Sequence, residues 1–408
     1  VAPAAEVSFL APGEAGEAEI IGIGDTPSAP KAGPIKAPPK PPSGGGAPAV
    51  KPGFAARTGS KQASIEKFGG SKESEAAVDR ALNWLVRNQQ PDGRWSAKKH
   101  GGMAKPHPSI PAQEINFDTG VTALAVLAFL GAGHSETEGK YAAHVRRGIY
   151  WLESIQDKNS GRWPGSHYSH ALASLAVAEA YGMSGAHQAC AQKALDYLVA
   201  SQNPGGGWNY DPNLHNGRNR NDSSLSGWCV MAAKSLHLAG LQVPPSLFER
   251  ARAHFERAGA GGSSGSGNVN YALHSSGKVE PTQGPKTGPE AVRSIAMISL
   301  AYMGVPTDSP WMLRAADMNA ADGVRLDNFY YIYYATLAMF QVGGERWDNW
   351  NRAMRDNLIS RQIRGTLDDG AWDAANDRWG PQGGKAYTTA LGAMTLEVYY
   401  RYLPIYKK

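Results

Sequence analysis

Carboxylates, imidazoles and phenols recur at one kind of place in this chain, the start of long apolar segments. Asp118-Thr119 opens one, His167-Tyr168-Ser169-His170 another, and Asp222-Ser223-Ser224 a third. Glu290 with Arg293, Tyr330-Tyr331 and Tyr387-Thr388 open the remaining three. Asp118, Asp222 and His170 are the candidate catalytic groups, because an acid or imidazole at such a point can move a proton. Tyr168, Arg293, Tyr330, Tyr331, Tyr334 and Tyr387 are the candidate ligand-binding groups. Aromatic faces hold cations and apolar chains, and a few polar atoms fix orientation. Each candidate has a structural alternative. An Asp at a helix start caps it. A first-turn His is satisfied locally. Tyr330, Tyr333 and Tyr334 fall on one helical face, the pattern of a core stripe.

Six apolar helical segments carry these residues, starting at Asp118, Ser169, Asp222, Gly288, Asn328 and Ala386. They lack a polar face, so they are expected to be buried on all sides. Gly131, Gly182, Gly240, Gly304 and Gly343 are read as the left-handed caps that end five of them. Six amphipathic helices alternate with them. Four of these run into a turn with Gln, Gly and Trp: Gln90/Gly93/Trp95, Gln156/Gly161/Trp163, Gln202/Gly206/Trp208 and Gln362/Gly370/Trp372. The copies after Leu247 and after Trp311 are decayed. Such alternation suits a closed ring or an open solenoid, and the irregular Trp-to-Trp steps of 68 and 45 residues favour the ring, since a solenoid usually keeps a fixed period. The expected fold is all-α: an α/α toroid (α6/α6 barrel) of six helix pairs, with the apolar helices inside. Their N-termini then meet at one mouth, where the candidate groups gather.

Composition sets the limits. The chain has 408 residues and a net charge of +5, spread without a basic stripe, which argues against nucleic-acid binding. The most apolar run, from Val121, has 13 residues, too short to span a membrane. Two cysteines, Cys190 and Cys229, exclude a disulfide scaffold and any Cys-only zinc site. Residues 1–73 hold 11 of the 27 prolines and neither Trp nor Tyr, so they are read as a Pro/Gly-rich linker or partner-binding arm before a toroid spanning 74–408. The chain opens on Val1, which leaves its compartment open; an upstream signal or anchor would place it in the cell envelope or periplasm.

The repeated Gln-Gly-Trp turn resembles the QW repeat of squalene–hopene cyclases and the related repeat of protein prenyltransferase β subunits. The chain is similar to bacterial prenyltransferase/squalene-oxidase repeat proteins over residues 74–405. The resemblance implies a terpenoid-cyclase-like toroid around an apolar cavity. The chemistry of those enzymes is less well represented. The cyclases' acidic DXDD motif is reduced to one Asp in NFDTG at Asp118 and one in NRNDSS at Asp222. The prenyltransferases' zinc set of Asp, Cys and His meets Ser223, Ser224, Tyr330 and Tyr331 here, so no metal and no cofactor is expected. The function that follows is binding of an apolar or isoprenoid-like ligand, or of a protein partner. The alternatives are a cavity enzyme acting on an isoprenoid, or a polysaccharide lyase or glycosidase using Asp118, Asp222, His170, Arg293 and Tyr387.

Overall fold

A computed structural model describes residues 50–102, 117–210, 220–260, 267–279 and 288–401. A short 3-10 helix, Pro52–Arg57, and α1 (Lys61–Phe68) precede the alternating pairs. The outer helices are α2 (Lys72–Asn88), α4 (Ala142–Ile155), α6 (Gln188–Ala200), α8 (Pro245–Arg257), α10 (Pro310–Asp322) and α12 (Gly344–Arg361). The inner ones are α3 (Asp118–Gly131), α5 (His167–Ser184), α7 (Ser223–Leu238), α9 (Pro289–Tyr302), α11 (Phe329–Val342) and α13 (Gly380–Leu396), followed by α14 (Val398–Arg401). Each inner helix packs on the next, and α13 packs back on α3, so the ring is closed. Leu124, Leu175, Met231, Ile298, Leu337 and Met394, one from each inner helix, are buried as a two-ring arrangement requires. Among the described residues the sheet is confined to a two-stranded antiparallel pair, β1 (Arg220–Asp222) with β2 (Ala272–His274), beside the decayed turn after α8.

The Gln-Gly-Trp turn is a repeated solution to one problem, the unpaired carbonyls at a helix end. The indole N–H donates to a last-turn carbonyl of its own outer helix: Trp95 to Leu85, Trp163 to Leu152, Trp208 to Leu198 and Trp372 to Leu358, at 2.8–3.0 Å. The Gln amide donates to the glycine carbonyl of the turn and to a carbonyl of the next outer helix. Gln156 reaches Cys190, Gln202 reaches Leu247, and Gln362 reaches Ala77 across the ring closure. The first turn corrects the sequence reading, because Gln89 and not Gln90 plays this part, donating to Gly93 and His144. The glycines have φ between 75° and 102°, and a Cβ there would run into the carbonyl of Arg147, Lys193, Arg250 or Arg80. Both the backbone angle and the close approach demand glycine.

Two of the expected helix stops are corrected as well. Helix α5 runs through Gly182 to Ser184 and is capped by Gly185, at φ 72°. The left-handed residue after α3 is Gly133, at φ 94°, not Gly131. Gly240, Gly304 and Gly343 do take positive φ. Residues 1–49 of the Pro/Gly-rich extension lie outside the described residues. Its last part folds onto the toroid: Phe54 and Arg57 are 1% and 2% exposed.

Candidate functional site

Consecutive residues on a helix point about 100° apart, so the first turn of an inner helix sends some side chains into the ring and others back toward the outer helices. This splits the candidates. Tyr168 of α5, Ser224 of α7 and Tyr330 of α11 meet at the mouth. The Tyr168 hydroxyl pairs with Ser224 Oγ, and the Tyr330 hydroxyl donates to the Ser224 carbonyl at 3.3 Å. Asp222 is the N-cap of α7 and fully buried; its Oδ1 accepts from the amides of Ser224 and Leu225, both at 3.0 Å, and from Ser224 Oγ at 2.7 Å. Burial pushes the Asp222 carboxyl up, against the Leu225 amide, the Ser224 hydroxyl, Arg220 and Tyr271. Burial likewise raises the Tyr168 phenol well above its ordinary range, helped by Tyr210, Tyr330, Tyr271 and Asp222.

Beneath this mouth the lumen is filled by aromatic rings. Trp228 of α7 stacks on Tyr333 at 5.7 Å and 11°, meets Tyr334 edge-on at 5.1 Å, and lies 6.2 Å from Tyr330. Helices α7 and α11 are not ring neighbours, since α9 stands between them. The four rings therefore meet across the lumen and form a floor. Tyr334 belongs to this floor. Tyr387 stands in the first turn of α13 after a break at Gly384; its residue is 9% exposed, and its hydroxyl is buried with no hydrogen-bond partner among the described residues. Burial, then Asp377 and Tyr330, push that phenol up.

The other candidates do not join them. His170 lies between the rings, edge-on to Tyr197 at 4.5 Å and tilted against Trp163 at 5.5 Å. Burial, with His167 and Arg162, holds it well below its ordinary pKa and hence neutral. Arg293 pairs with Asn319 and Asp322 of α10. Tyr331 donates to the Asn319 carbonyl and packs on Trp350 of α12. Asp118 accepts from the Ala97 amide at 2.9 Å and pairs with Arg94, so it ties the preceding turn to α3. Burial raises its pKa against those partners. The reason is rotational. The sequence places a residue within the first turn, but two positions along that turn decide whether it faces in or out.

Three mouth residues lie outside the sequence reading. The Tyr271 hydroxyl lies 3.1 Å from Ser224 Oγ and pairs with Tyr210, whose ring lies 5.3 Å from Tyr168. Tyr210 follows Trp208 by two residues, which is the available signal: the chain there is leaving the staple for the mouth. Asp377 receives the amides of Phe329 and Trp379 at 2.7 and 2.8 Å, joining the starts of α11 and α13. Burial raises it to about 6 against those amides. On the same side Glu290 sits 3.3 Å from Arg378 and 3.8 Å from Arg325. Among the described residues no three His, Cys, Asp or Glu side chains form a metal-ligand set. The Cys229 thiol is buried and pushed well up by that burial.

Residues 57–171 match the squalene-hopene cyclase C-terminal domain family. Comparison with curated protein sequences gives no significant match. The chain resembles the type II terpene cyclase MstE from Scytonema, with 15% identity and a TM-score of 0.52 over 80% of this chain and 98% of that one. It also resembles the GH76A α-1,6-mannanase of Salegentibacter (10% identity, TM-score 0.56, 80% and 99% covered). Cellobiose 2-epimerase from Bacillus thermoamylovorans is a third such structure (11% identity, TM-score 0.57, 82% and 99% covered). At these identities the likeness is one of fold, the α/α toroid.

Proposed function

We propose that this squalene cyclase-like α/α toroid binds, at its mouth, an apolar ligand bearing one hydrogen-bonding group, and does not turn it over. The Tyr387 hydroxyl carries the reading, because it is buried without a hydrogen-bond partner among the described residues, beside Tyr330. Such a group costs on the order of 1–3 kcal/mol, which a bound acceptor would return. The aromatic floor of Trp228, Tyr330, Tyr333 and Tyr334 supports an apolar ligand body. A variant of MstE is known in complex with its substrate geranylgeranyl dihydroxybenzoate, whose geranylgeranyl chain is an apolar body of the kind proposed.

Catalysis is disfavoured by how the carboxylates are engaged. Asp118, Asp222 and Asp377 all accept backbone amides. A glycosidase needs two carboxylates facing one space, whereas Asp118 is turned to the Ala97 amide and Arg94, and Asp222 to the Ser224 and Leu225 amides. The second reading, a cavity enzyme acting on an isoprenoid, rests on Asp222, because burial shifts its carboxyl toward the protonated form an acid catalyst uses.

The test is native mass spectrometry of the purified protein with geranylgeraniol, alongside chromatography of the extracted lipid. The expected result is a one-to-one complex, weakened about fivefold or more in Tyr387→Phe, with the lipid recovered unchanged. Equal binding by Tyr387→Phe, or none by the parent, refutes the site. A cyclised product that disappears in Asp222→Asn establishes the enzyme instead.

A further inference from the structure

The opposite end of the ring holds a cluster unrelated to the mouth. The C-termini of the inner helices gather there and present carbonyls and the negative ends of their dipoles. Two carboxylates, Glu179 of α5 and Glu397, are fully buried at that end. Arg401 of α14 spans them: Nη2 lies 2.8 Å from Glu179 Oε2, Nη1 lies 3.1 Å from Glu397 Oε2, and Nη1 also donates to the Leu127 carbonyl at 2.6 Å. Burial raises the Glu397 carboxyl to about 8, against Arg401, Lys61 and Arg57, so near neutral pH it is largely protonated, and Glu179 is the acceptor that two guanidiniums share. Arg57 supplies the second cation, with Nη1 2.7 Å from Glu179 Oε2 and 3.7 Å from the Met183 sulfur.

Residues 50–57 enter this pocket with the complementarity of a bound peptide. The Lys51 amide donates to the Gly182 carbonyl at 2.8 Å. The Phe54 ring occupies the space that a Cβ at Gly182 would fill, and Arg57 stacks over that ring at 5.0 Å. The Arg57 carbonyl lies against Gly133, and Gly131 leaves room for Arg401 and Glu397. Gly131 and Gly182, read from the sequence as helix stops, are thus helical residues that hollow out the pocket. The segment's exit is free, because Thr58, Gly59 and Ser60 are exposed.

We propose that the rear of the toroid is a peptide-binding site for a segment presenting a phenyl ring and a guanidinium three residues apart, and that Phe54 and Arg57 of the same chain are its resident ligand. The guanidinium subsite is Glu179, shared with Arg401. The phenyl subsite is the notch at Gly182. Lysine cannot substitute, because a compact ammonium on a flexible stem lacks the planar face that lies over Phe54 while Nη1 reaches Glu179 Oε2.

The test uses the full chain with a protease site inserted between Gly59 and Ser60. After cleavage of the folded protein, the fragment ending at residue 59 should stay bound through size-exclusion chromatography. Its release should be at least about tenfold faster in Arg57→Ala and in Arg57→Lys, since the buried Glu179 then keeps only Arg401 of its two guanidinium partners. A second measurement needs no variant: millimolar ethylguanidinium should speed release from the cleaved parent, and ethylammonium should not. Immediate loss of the fragment from the cleaved parent overturns the proposal. So does retention in Arg57→Lys at the parent rate, or equal action of the two cations.

Discussion

His187 is a residue whose environment makes a claim about pH. It adopts φ 67°, a left-handed conformation that L-residues seldom take, and its ring is clamped between two carboxylates. Nδ1 lies 2.9 Å from Glu153 and Nε2 lies 2.8 Å from Glu136. Burial alone would lower the imidazole; the two hydrogen bonds outweigh it and raise the pKa to about 9, from 6.5 when unfolded. The folded state therefore binds this proton more tightly. The stabilisation is complete below about pH 6.5 and is lost as pH rises through about 9. It is on the order of 3 kcal/mol. The melting temperature should fall between pH 7 and pH 9.5, and His187→Gln should flatten that fall; equal slopes in the two proteins would dismiss the clamp. Nothing in the local sequence announces it, because Glu136, Glu153 and His187 lie on three separate segments. The mouth shows the same limit. Tyr168, Asp222, Tyr330 and Tyr387 were legible as first-turn residues, but the inward or outward turn of His170, Arg293 and Tyr331 depends on helix rotation about an axis that only the packed ring defines.

At the scale of elements, the Gln-Gly-Trp turns were legible because each repeats the same local physics: an indole on its own helix end, an amide on the next helix, and a glycine where no Cβ fits. The one misassigned partner, Gln90 for Gln89, follows from adjacency, since both are Gln and the geometry alone selects between them. The glycine is the sharper probe. Gly206→Ala combines φ 84° with a Cβ driven into the Arg250 carbonyl. It should cost about 3 kcal/mol or more, comparable to Trp208→Ala, which removes a fully buried indole and its bond to Leu198. Gly101→Ala is the control: φ 85° and ψ 3° are left-handed, but no atom lies within 4 Å of the added carbon, so the cost should stay at about 1 kcal/mol. Chemical denaturation of the three variants measures this directly. If Gly206→Ala and Gly101→Ala lose the same stability, close approach contributes nothing and the turn is only a backbone preference.

At the scale of the whole molecule, closure of the ring changes what a local defect does. In an open stack of helix pairs, the last pair has one neighbour and frays independently. Here the last pair has two. Helix α13 packs on both α11 and α3, and the α12 turn is bonded to α2 through Gln362 to the Ala77 carbonyl, Trp84 to Asp368, and Arg87 to the Asp369 carbonyl. The sequence favoured a ring through its irregular period and its faceless inner helices, but no residue near Gly380 indicates that its helix touches one starting at Asp118. That contact is made only by the accumulated turn of six pairs. The consequence is testable with two matched substitutions. Trp163→Ala strikes a turn in the interior of the chain order, and Trp372→Ala strikes the turn at the seam. Both indoles are at most 1% exposed and both bond a last-turn leucine carbonyl. A closed ring makes these sites equivalent, so both variants should melt in one transition, lowered by about 5 °C or more. Amide exchange in α13 should be as slow as in α5 in the parent, because neither helix has a free side from which to open. A two-step melt in Trp372→Ala, with α13 exchanging while α5 stays protected, would mean that the seam is an end rather than a joint.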